Sequence, residues 1–551
     1  MRALPFALAL AASSSLLAAT LAQAPPAKGA HEPDACTSIM VSRGASADGS
    51  TMITYSADAA FMPKLLLVPG GRHAPGSVVD VAGWEDDRVR GQIPQAETSY
   101  RVVGLINEHQ LALGETTTGG RRELRDPNGL LDYDALMLLT LQRSKTAREA
   151  IATIDALCKA HGYGSSGETF AIADQTEVWV MELIGRGPEE KGILFVAGRV
   201  PEGCISASAN LARITTFPLD DPDNWLCSPD VVEFAQRRGW YDPARDGAFR
   251  WRHAYHPNPS NVSKRTCGTR VWSIYRRAAP AQAWSTDWHR GVEGAEDYPL
   301  FVKPDRKLGV RDVMALMRDH YEGTPYDMTA GIDAGPFASP VRFRDLTWKV
   351  GDATYCWERP IATQQAGFVM LAQCRGWLPD AVGGIYWFTP DDPYTSCFLP
   401  LYCGIDALPA AYTRGTYGEY SPDSAWWAFN FVSNLTYDRW SRLVPEVLAA
   451  QRDHEQWYEQ RQAAIDQAAA ALAGDPVALS RYLTEVAVST GEKLFADWSA
   501  LGRGLVARHV DGYVKQDGGR SRGIGYGEEW LRRVVAERGA SLALPPEKPD
   551  R

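Results

Sequence analysis

The order of the patterned segments is the feature that most constrains the fold of this chain. Extended patterns begin at Cys36, helical spacing follows over residues 136–162, and strand patterns return over 169–210. Strand signals and aromatic residues also fill 340–420, after which residues 422–514 show a helical pattern. Strand-rich segments on both sides of a helix pair predict sheets covered by helices rather than a regular βαβ succession. The predicted class is therefore α+β.

Composition excludes several classes of protein. Of the 551 residues, 45% are hydrophobic and 23% charged, which is typical of a soluble globular protein. The 18 Trp, 22 Tyr and 16 Phe argue against disorder, because a chain with so many aromatic side chains can bury a core. The net charge of −10 argues against nucleic acid or an anionic membrane surface as the main partner.

The amino terminus has the pattern of a secretory signal peptide. Arg2 supplies the positive start, an apolar stretch runs to Leu21, and Ala22-Gln23-Ala24 is a small-residue cleavage site. An uncleaved membrane anchor is the alternative, which three consecutive serines within the stretch disfavour. We predict a signal peptide over 1–24, a propeptide or linker over 25–35, export to the periplasm or the extracellular space, and no stable membrane insertion.

The cysteine count leaves the redox state of most thiols open. In an oxidising compartment an odd number of cysteines leaves at least one unpaired, and the alternative is that most are small buried hydrophobic residues. No C-x-x-C pair occurs and Cys397 to Cys403 is too wide for a zinc knuckle, so the sequence predicts no metal site. No cofactor is predicted either. The nine cysteines are Cys36, Cys158, Cys204, Cys227, Cys267, Cys356, Cys374, Cys397 and Cys403.

The segment after residue 35 predicts a β-hairpin. CTSIMVSR and TMITYS are extended runs, and SADGS between them is a turn with Asp48-Gly49 at its tip. A pairing symmetric about that tip places Cys36 opposite Phe61. Asp58 then lies about three residues along the partner strand, roughly 10 Å away.

Two sequence motifs match but lack the secondary structure that their function requires, and a third motif is absent. GYGSSG at 162–167 matches G-x-G-x-x-G but follows a helix, so a loop is the better interpretation. GRSRG at 519–523 matches G-x-S-x-G, yet no apolar strand leads into it. H-E-x-x-H does not occur in the sequence.

Cys36 is the candidate nucleophile because of its position. If residues 1–35 were removed, it would carry the new α-amino group, whose pKa of roughly 7.7–8.0 suits it to take a thiol proton at neutral pH. One residue would then supply both nucleophile and base. A purely structural cysteine is the alternative.

Several segments resemble one family over nearly all of residues 36–435. CTSIMVSRGASADGSTMITYSAD is similar to the start of the secreted dipeptidases of the thiol-dependent amino-terminal nucleophile hydrolases, relatives of the secernins and more distantly of penicillin V acylase and bile salt hydrolase. The likeness continues through GLINEHQLALGETT, SSGETFAIADQTEVWVMELIG, SANLARITTFPLDDPDN, EGTPYDMT, WERPIATQQAGF and SAWWAFNFVSN.

The resemblance implies a fold, an activity and four site residues. It implies a four-layer αββα sandwich, removal of a propeptide before the cysteine, and cleavage of dipeptides without a metal. Cys36 matches the nucleophile, and Asp58 matches the carboxylate that orients the amino group and thiol. Asn210 matches the asparagine that contacts the amino group or the oxyanion. Arg270 matches an arginine whose cation favours the thiolate.

The sequence departs from the wider superfamily at two positions. Tyr55 stands where an arginine or lysine is usual, so one source of thiol activation is missing or replaced. The oxyanion-hole asparagine of the acylases falls near Thr117, whose hydroxyl is a candidate donor.

The sequence thus predicts an exported cysteine-dependent dipeptidase with its hydrolase domain over 36–421 and a helical region and tail over 422–551. The substrate class is a dipeptide or small peptide. One alternative is an acylase that cleaves N-acyl linkages with the same nucleophile. Another is a non-enzymatic glycan-binding protein, suggested by the tryptophans. The segment 422–514 either covers the core or forms a contact in a homo-oligomer, and the sequence leaves both open.

Overall fold

A computed structural model describes residues 35–83 and 88–546. The predicted signal peptide and all but the last residue of the predicted propeptide lie outside this range. The described residues from Ala35 onward form one compact unit. In the part of the chain that is described, no helix is long and apolar enough to cross a membrane.

The strands of the first half of the chain build all of one large sheet and half of the other. In chain order they are β1 (Ala35–Val41), β2 (Thr51–Asp58), β3 (Leu67–Val68), β4 (Gly71–Arg72), β5 (Val78–Ala82), β6 (Val89–Pro94), β7 (Thr98–Ser99), β8 (Val102–Val103), β9 (Ile106–Asn107), β10 (Ala112–Gly119), β11 (Gly167–Ala173), β12 (Val178–Gly185), β13 (Ile193–Arg199), β14 (Ile205–Ser208) and β15 (Trp225–Cys227). The later strands are β16 (Thr347–Val350), β17 (Ala353–Cys356), β18 (Ala366–Cys374), β19 (Gly384–Pro390), β20 (Leu399–Tyr402), β21 (Tyr513–Lys515) and β22 (Ser521–Gly523).

The helices fall into an early pair, a middle group of mostly short helices and four carboxy-terminal helices. They are α1 (Tyr133–Leu141), α2 (Ala147–His161), α3 (Val231–Arg237), α4 (Pro243–Asp246), α5 (Trp251–Tyr255), α6 (Asn261–Ser263), α7 (Thr269–Ala278), α8 (Asp287–Arg290), α9 (Val310–Met317), α10 (Asp380–Gly383), α11 (Ala425–Asp438), α12 (Trp440–Ala471), α13 (Pro476–His509) and α14 (Glu528–Leu542). The predicted α+β class is confirmed.

Two antiparallel sheets share the core. One has six strands in the order β14-β1-β2-β18-β19-β20, and the other has eight in the order β15-β13-β12-β11-β10-β9-β8-β3. Strands β1 and β2 of the first sheet contact β10 and β11 of the second. Helices α1 and α2 pack on the eight-stranded sheet, whereas α7, α11 and α13 pack on the six-stranded sheet.

The predicted hairpin is present, but the predicted register is wrong. Cys36 pairs with Ala57 rather than Phe61, and Ala35 pairs with Asp58. The connection is longer than a tight turn because a 3₁₀ turn forms at its start and Asp48 accepts hydrogen bonds from Ser46 and Ser50 at its end. This moves the centre of the hairpin two residues toward the amino terminus and brings Asp58 next to the residue opposite Cys36.

Strand β2 is buried along its whole length, so its small hydroxyl residues need partners within the core. The backbone N–H of Thr37 donates to Ser56 Oγ at 2.9 Å, and that of Ile39 donates to Thr54 Oγ1 at 2.9 Å. Thr54 Oγ1 itself donates to Met317 Sδ of α9 at 3.2 Å. These bonds allow polar residues to line a strand that is covered on both faces.

Capping residues set the boundaries of two helices. The Thr146 side chain accepts from Glu149 N at the start of α2, and Gly162 ends the helix with a φ of 79°. Between α12 and α13, the Asp475 side chain accepts from the first N–H groups of α13, and Pro476 takes the first helical position.

Gly114 lets the two sheets approach each other closely beside the candidate site. A Cβ at this position would lie 2.9 Å from Tyr55 Cβ and 3.2 Å from the carbonyl oxygen of Thr54. Gly114→Ala is expected to lower the free energy of unfolding by about 1–3 kcal/mol, because neither neighbour can withdraw without moving β2.

Thermal and urea unfolding measure this effect. Gly71→Ala is the matched control, because it also adds a Cβ within a strand and meets nothing within 4 Å. Equal stability of the Gly114→Ala and Gly71→Ala variants would contradict the predicted tight contact between the sheets.

Candidate active site

Cys36 lies near the start of β1, buried between the sheets with 4% of its surface exposed. Its backbone N–H donates to Asn210 Oδ1 at 2.8 Å, and its Sγ lies 3.4 Å from Glu115 Oε1. The hairpin supplies the cysteine, β10 supplies Glu115, and the segment after β14 supplies Asn210. The main chain and the thiol of Cys36 are therefore held by different parts of the chain.

Asn210 stands two residues beyond the end of β14, with a φ of 61°. Its Oδ1 receives the Cys36 N–H, and its Nδ2 donates to the carbonyl oxygen of Thr117 at 2.9 Å. Both ends of the amide are thus engaged. The observed contact is the one that the resemblance implies for an amino group, whereas the Nδ2 that would serve an oxyanion is bonded to a carbonyl.

Arg270 lies in the first turn of α7 and is fully buried. Its Nη1 donates to the Cys36 carbonyl at 2.7 Å and to Thr37 Oγ1 at 2.9 Å. Its Nη2 donates to Asn210 Oδ1 at 2.9 Å. The guanidinium therefore fixes the backbone around Cys36 through these contacts, and its predicted stabilisation of the thiolate stays a prediction.

Asp58 ends β2 and is paired with an arginine that the sequence analysis did not identify. Arg359 Nη2 lies 3.3 Å from Asp58 Oδ2, and both side chains are buried. Burial raises the pKa of Asp58 to about 6, and the positive charges of Arg359 and Arg270 oppose that rise. Burial also lowers the pKa of Arg359 to about 10, while the charges of Asp58 and Cys36 act in the other direction.

Tyr55 occupies the position of the expected basic residue and contacts an acid. Its hydroxyl donates to Glu115 Oε1 at 2.8 Å, the same oxygen that faces Cys36 Sγ. The charge next to the thiol on this side is therefore a carboxylate rather than a cation.

A second acid, Glu168 on β11, is hydrogen-bonded to Glu115. Both residues are fully buried, and Ser165 Oγ donates to Glu168 Oε1 at 3.2 Å. Burial, followed by the negative charge of Glu115, raises the pKa of Glu168 well above its ordinary value. The side chain of Thr117, the candidate oxyanion donor, is also hydrogen-bonded to Glu168.

The structure thus brings all four predicted site residues together, and it adds three more. Arg359, Glu115 and Glu168 stand in the quoted segments WERPIATQQAGF, GLINEHQLALGETT and SSGETFAIADQTEVWVMELIG. A charged residue inside a strand-like apolar pattern was the available signal, since such residues are rarely buried without a partner.

The other thiols show no disulfide in the residues described. Those concerned are Cys158, Cys204, Cys227, Cys267, Cys374, Cys397 and Cys403. Burial raises the pKa of the deeply buried thiols, for example to about 12 at Cys403. Over 35–83 and 88–546, no group of three or more His, Cys, Asp or Glu side chains is arranged to hold a metal ion.

Comparison with known proteins gives the class. The model of "Peptidase family C69" matches residues 35–77 and 69–453. A match over that share of the chain identifies it as a peptidase. The chain belongs to peptidase family C69, which confirms the resemblance to dipeptidases described above.

The alignments with curated relatives extend over most of the length of each relative. A "Probable dipeptidase" of Salmonella dublin is 27% identical over 410 residues, covering 70% of this chain and 84% of the relative. A "Dipeptidase" of Bifidobacterium longum is 26% identical over 441 residues, covering 73% and 77%. "Dipeptidase A" of Lactobacillus helveticus is 24% identical over 422 residues, covering 73% and 81%.

Arg270 is predicted to be essential to the stability of the site. Arg270→Met removes five side-chain hydrogen bonds, which reach the carbonyl oxygens of Cys36, Ala209 and Thr266, Thr37 Oγ1 and Asn210 Oδ1. We expect the free energy of unfolding to fall by at least about 3 kcal/mol, since each orphaned buried group costs roughly 1–3 kcal/mol.

Urea unfolding of both Arg270→Met and Thr37→Val checks this prediction. Thr37→Val removes only one of the acceptors and preserves the side-chain shape, so its effect should be clearly smaller. Equal effects would show that the guanidinium contributes little beyond its bond to Thr37.

Proposed function

We propose that this chain is an exported cysteine-dependent dipeptidase that forms an acyl-enzyme on Cys36 as the first residue of the processed protein. The observation that carries the proposal is the hydrogen bond from the Cys36 nitrogen to Asn210 Oδ1. Arg270 Nη2 donates a second hydrogen bond to the same oxygen. The names of the relatives support dipeptides as the substrate class. The signal-like residues 1–24 support export.

The proposed four-layer αββα arrangement is supported by the packing of helices on both sheets. Helix α2 contacts β11, β12 and β13 of the eight-stranded sheet, and α7 contacts β14 of the six-stranded sheet. The contacts between β1 and β10 join the two sheets between these helices. Cys36, the second residue of β1, then lies in the space between the two sheets.

In the processed chain the Cys36 nitrogen would be an amine. Asn210 Oδ1 would accept one of its N–H bonds, and Asp58, opposite Ala35 at the end of β2, would help to orient it. The neutral amine takes the thiol proton, the thiolate attacks the peptide carbonyl, and the amine returns the proton to the leaving group. Water then hydrolyses the thioester.

Two arginines assist the nucleophile in this mechanism, one through its charge and the other by holding the backbone. The charges of Cys36 and Arg359 attract each other, which stabilises the thiolate. Arg270 holds the carbonyl oxygen of Cys36 and so fixes the direction in which the side chain leaves the backbone. A backbone N–H is the proposed oxyanion donor, because Asn210 Nδ2 is already bonded to Thr117.

Replacement of the nucleophile tests the proposal directly. Cys36→Ala and Cys36→Ser should lower dipeptide hydrolysis by at least about a thousandfold, since removing a nucleophile abolishes the covalent path. Sequencing the amino terminus of the active wild-type protein should give Cys36 as the first residue. Full activity of Cys36→Ala would eliminate the mechanism.

A substrate panel separates the proposed activity from the alternatives. Dipeptides are compared with N-acyl amino acids under the same conditions, with hydrolysis of the dipeptides expected to be faster. Preferential release of the acyl groups would favour an acylase. Glycan binding without any turnover, unaffected by thiol alkylation, would favour a non-enzymatic protein.

The pH dependence should report the Asp58–Arg359 pair. A carboxylate that orients the amino group must be ionised, so activity should fall as the pH drops below the pKa of about 6. Arg359→Met removes a positive charge that lowers this pKa, and the acidic limb should therefore move to higher pH.

Profiles of kcat/KM against pH for wild type, Arg359→Met and Arg306→Met make this comparison. Arg306 is the control, because it is exposed and its guanidinium pairs with Asp312. An acidic limb that stays in place in Arg359→Met, or that moves equally in both variants, would contradict the assignment.

A further inference from the structure

Two buried carboxyl groups lie beside the thiol of Cys36 and have no part in the mechanism above. Glu115 Oε1 lies 3.4 Å from Cys36 Sγ and accepts the Tyr55 hydroxyl at 2.8 Å. Glu168, on the neighbouring strand β11, is hydrogen-bonded to Glu115. Both acids are fully buried. A buried carboxylate is costly, so its retention next to a nucleophile requires an explanation.

The two acids differ in their partners. Glu115 Oε1 faces a thiol and a phenol, whereas Glu168 accepts from Ser165 Oγ and is hydrogen-bonded to the side chain of Thr117. Burial and the charge of Glu115 raise the pKa of Glu168 well above its ordinary value, which favours the protonated form of Glu168. Of the two acids, Glu115 is the one that contacts the thiol, so it is the candidate proton acceptor.

The structure shows Cys36 still joined to Ala35, which pairs with Asp58. The Cys36 nitrogen is then an amide and has no basic lone pair. The α-amino group that accepts the thiol proton in the processed enzyme does not yet exist in this form. It is created only when the segment before Cys36 is removed, so that removal needs a different proton acceptor. The thiol in this form of the chain contacts Glu115.

We propose that Glu115 is the base that takes the Cys36 thiol proton when the chain cleaves its own Ala35–Cys36 bond. The inference rests on the proposed function, because it concerns the step that exposes the amino-terminal cysteine. It assigns a catalytic role to a residue that acts before the first substrate is bound.

Self-cleavage of the Ala35–Cys36 bond proceeds through a thioester and is completed by water. Glu115 accepts the thiol proton, and Sγ attacks the carbonyl carbon of Ala35. The C–N bond to Cys36 breaks as its nitrogen takes the proton back from Glu115, which leaves a thioester between Ala35 and Cys36. Water hydrolyses this thioester to give the carboxylate of Ala35, a proton and the free thiol.

Asp58 is the other acid near this bond, and its contacts differ. Its Oδ2 faces Arg359 at 3.3 Å and Ser56 Oγ at 3.5 Å. Glu115, in contrast, contacts the sulfur itself. Contact with the reacting atom favours Glu115 as the base.

The test follows the intact mass of the purified full-length chain with time. Glu115→Gln keeps the side-chain shape but accepts no proton, so its cleavage before Cys36 should be at least about a hundredfold slower than in wild type. Cys36→Ala should retain the preceding residues. Glu115→Asp keeps a carboxylate and should cleave faster than Glu115→Gln.

Glu168→Gln is the matched control. It is an equally buried acid on the adjacent strand, and its amide N–H still donates to Glu115 in place of the carboxyl proton. Cleavage should therefore proceed close to the wild-type rate. Equal slowing in Glu115→Gln and Glu168→Gln would mean that any change in this buried pair disturbs the site, and it would overturn the assignment. Cleavage of Glu115→Gln at the wild-type rate would overturn it as well.

A second form of the chain separates this inference from the proposed function. A Met placed directly before Cys36 is removed by methionine aminopeptidase, so residues 36–551 start with the cysteine without self-cleavage. In this form Glu115→Gln should regain the dipeptide turnover that the uncleaved Glu115→Gln chain lacks. If it stays inactive while the wild type in this form is active, the role of Glu115 is not confined to cleavage and the inference fails. Inactivity of the wild type in this form would instead count against the proposed function.

Discussion

One oxygen atom, Oδ1 of Asn210, organises the candidate site. It accepts hydrogen bonds from the Cys36 N–H and from Arg270 Nη2, at 2.8 and 2.9 Å. These donors come from the first strand of the hairpin and from a helix more than two hundred residues further along the chain. Because the atom is buried, both bonds form away from competing water. The position of the cysteine nitrogen therefore depends on correct packing of the helix on the six-stranded sheet.

The site also concentrates charge in the core. Arg359 pairs with Asp58, the charge of Arg270 also acts on Asp58, and the carboxyl group of Glu115 contacts the thiol. An isolated buried charge would be strongly destabilising, whereas such a group is tolerated when each charge has a partner of opposite sign or several donors. The arrangement has a chemical consequence. Asp58 and Arg359 each shift the pKa of the other, so a change in the protonation of Asp58 changes the field at Arg359.

Much of this architecture could be predicted from the sequence. The class and the hairpin followed from the periodicity of the sequence and from its turn residues, which are local properties. The register of the hairpin did not, because it depends on hydrogen bonds of Ser46 and Asp48 that lengthen the connection.

The site residues that could be predicted were those that match known positions of the family. The remaining residues of the site could not be predicted in this way. Cys36, Asp58, Asn210 and Arg270 were brought together as expected, although their duties within the cluster needed coordinates. Glu115 and Arg359 could not be identified as partners from spacing, since each meets its partner only through packing between distant segments. The domain limits at 421 and 422 and the export of the chain stay predictions.

The backbone at Asn210 restricts which amino acids evolution can place there. A φ of 61° is readily adopted by glycine, asparagine and aspartate and is strained for most other residues. Glycine has no oxygen to receive the cysteine nitrogen, and aspartate has no N–H for the carbonyl of Thr117. Asparagine alone among the three meets the conformational demand and both hydrogen-bonding demands. Selection at this position is therefore expected to tolerate almost no drift, even among homologues whose surfaces have diverged.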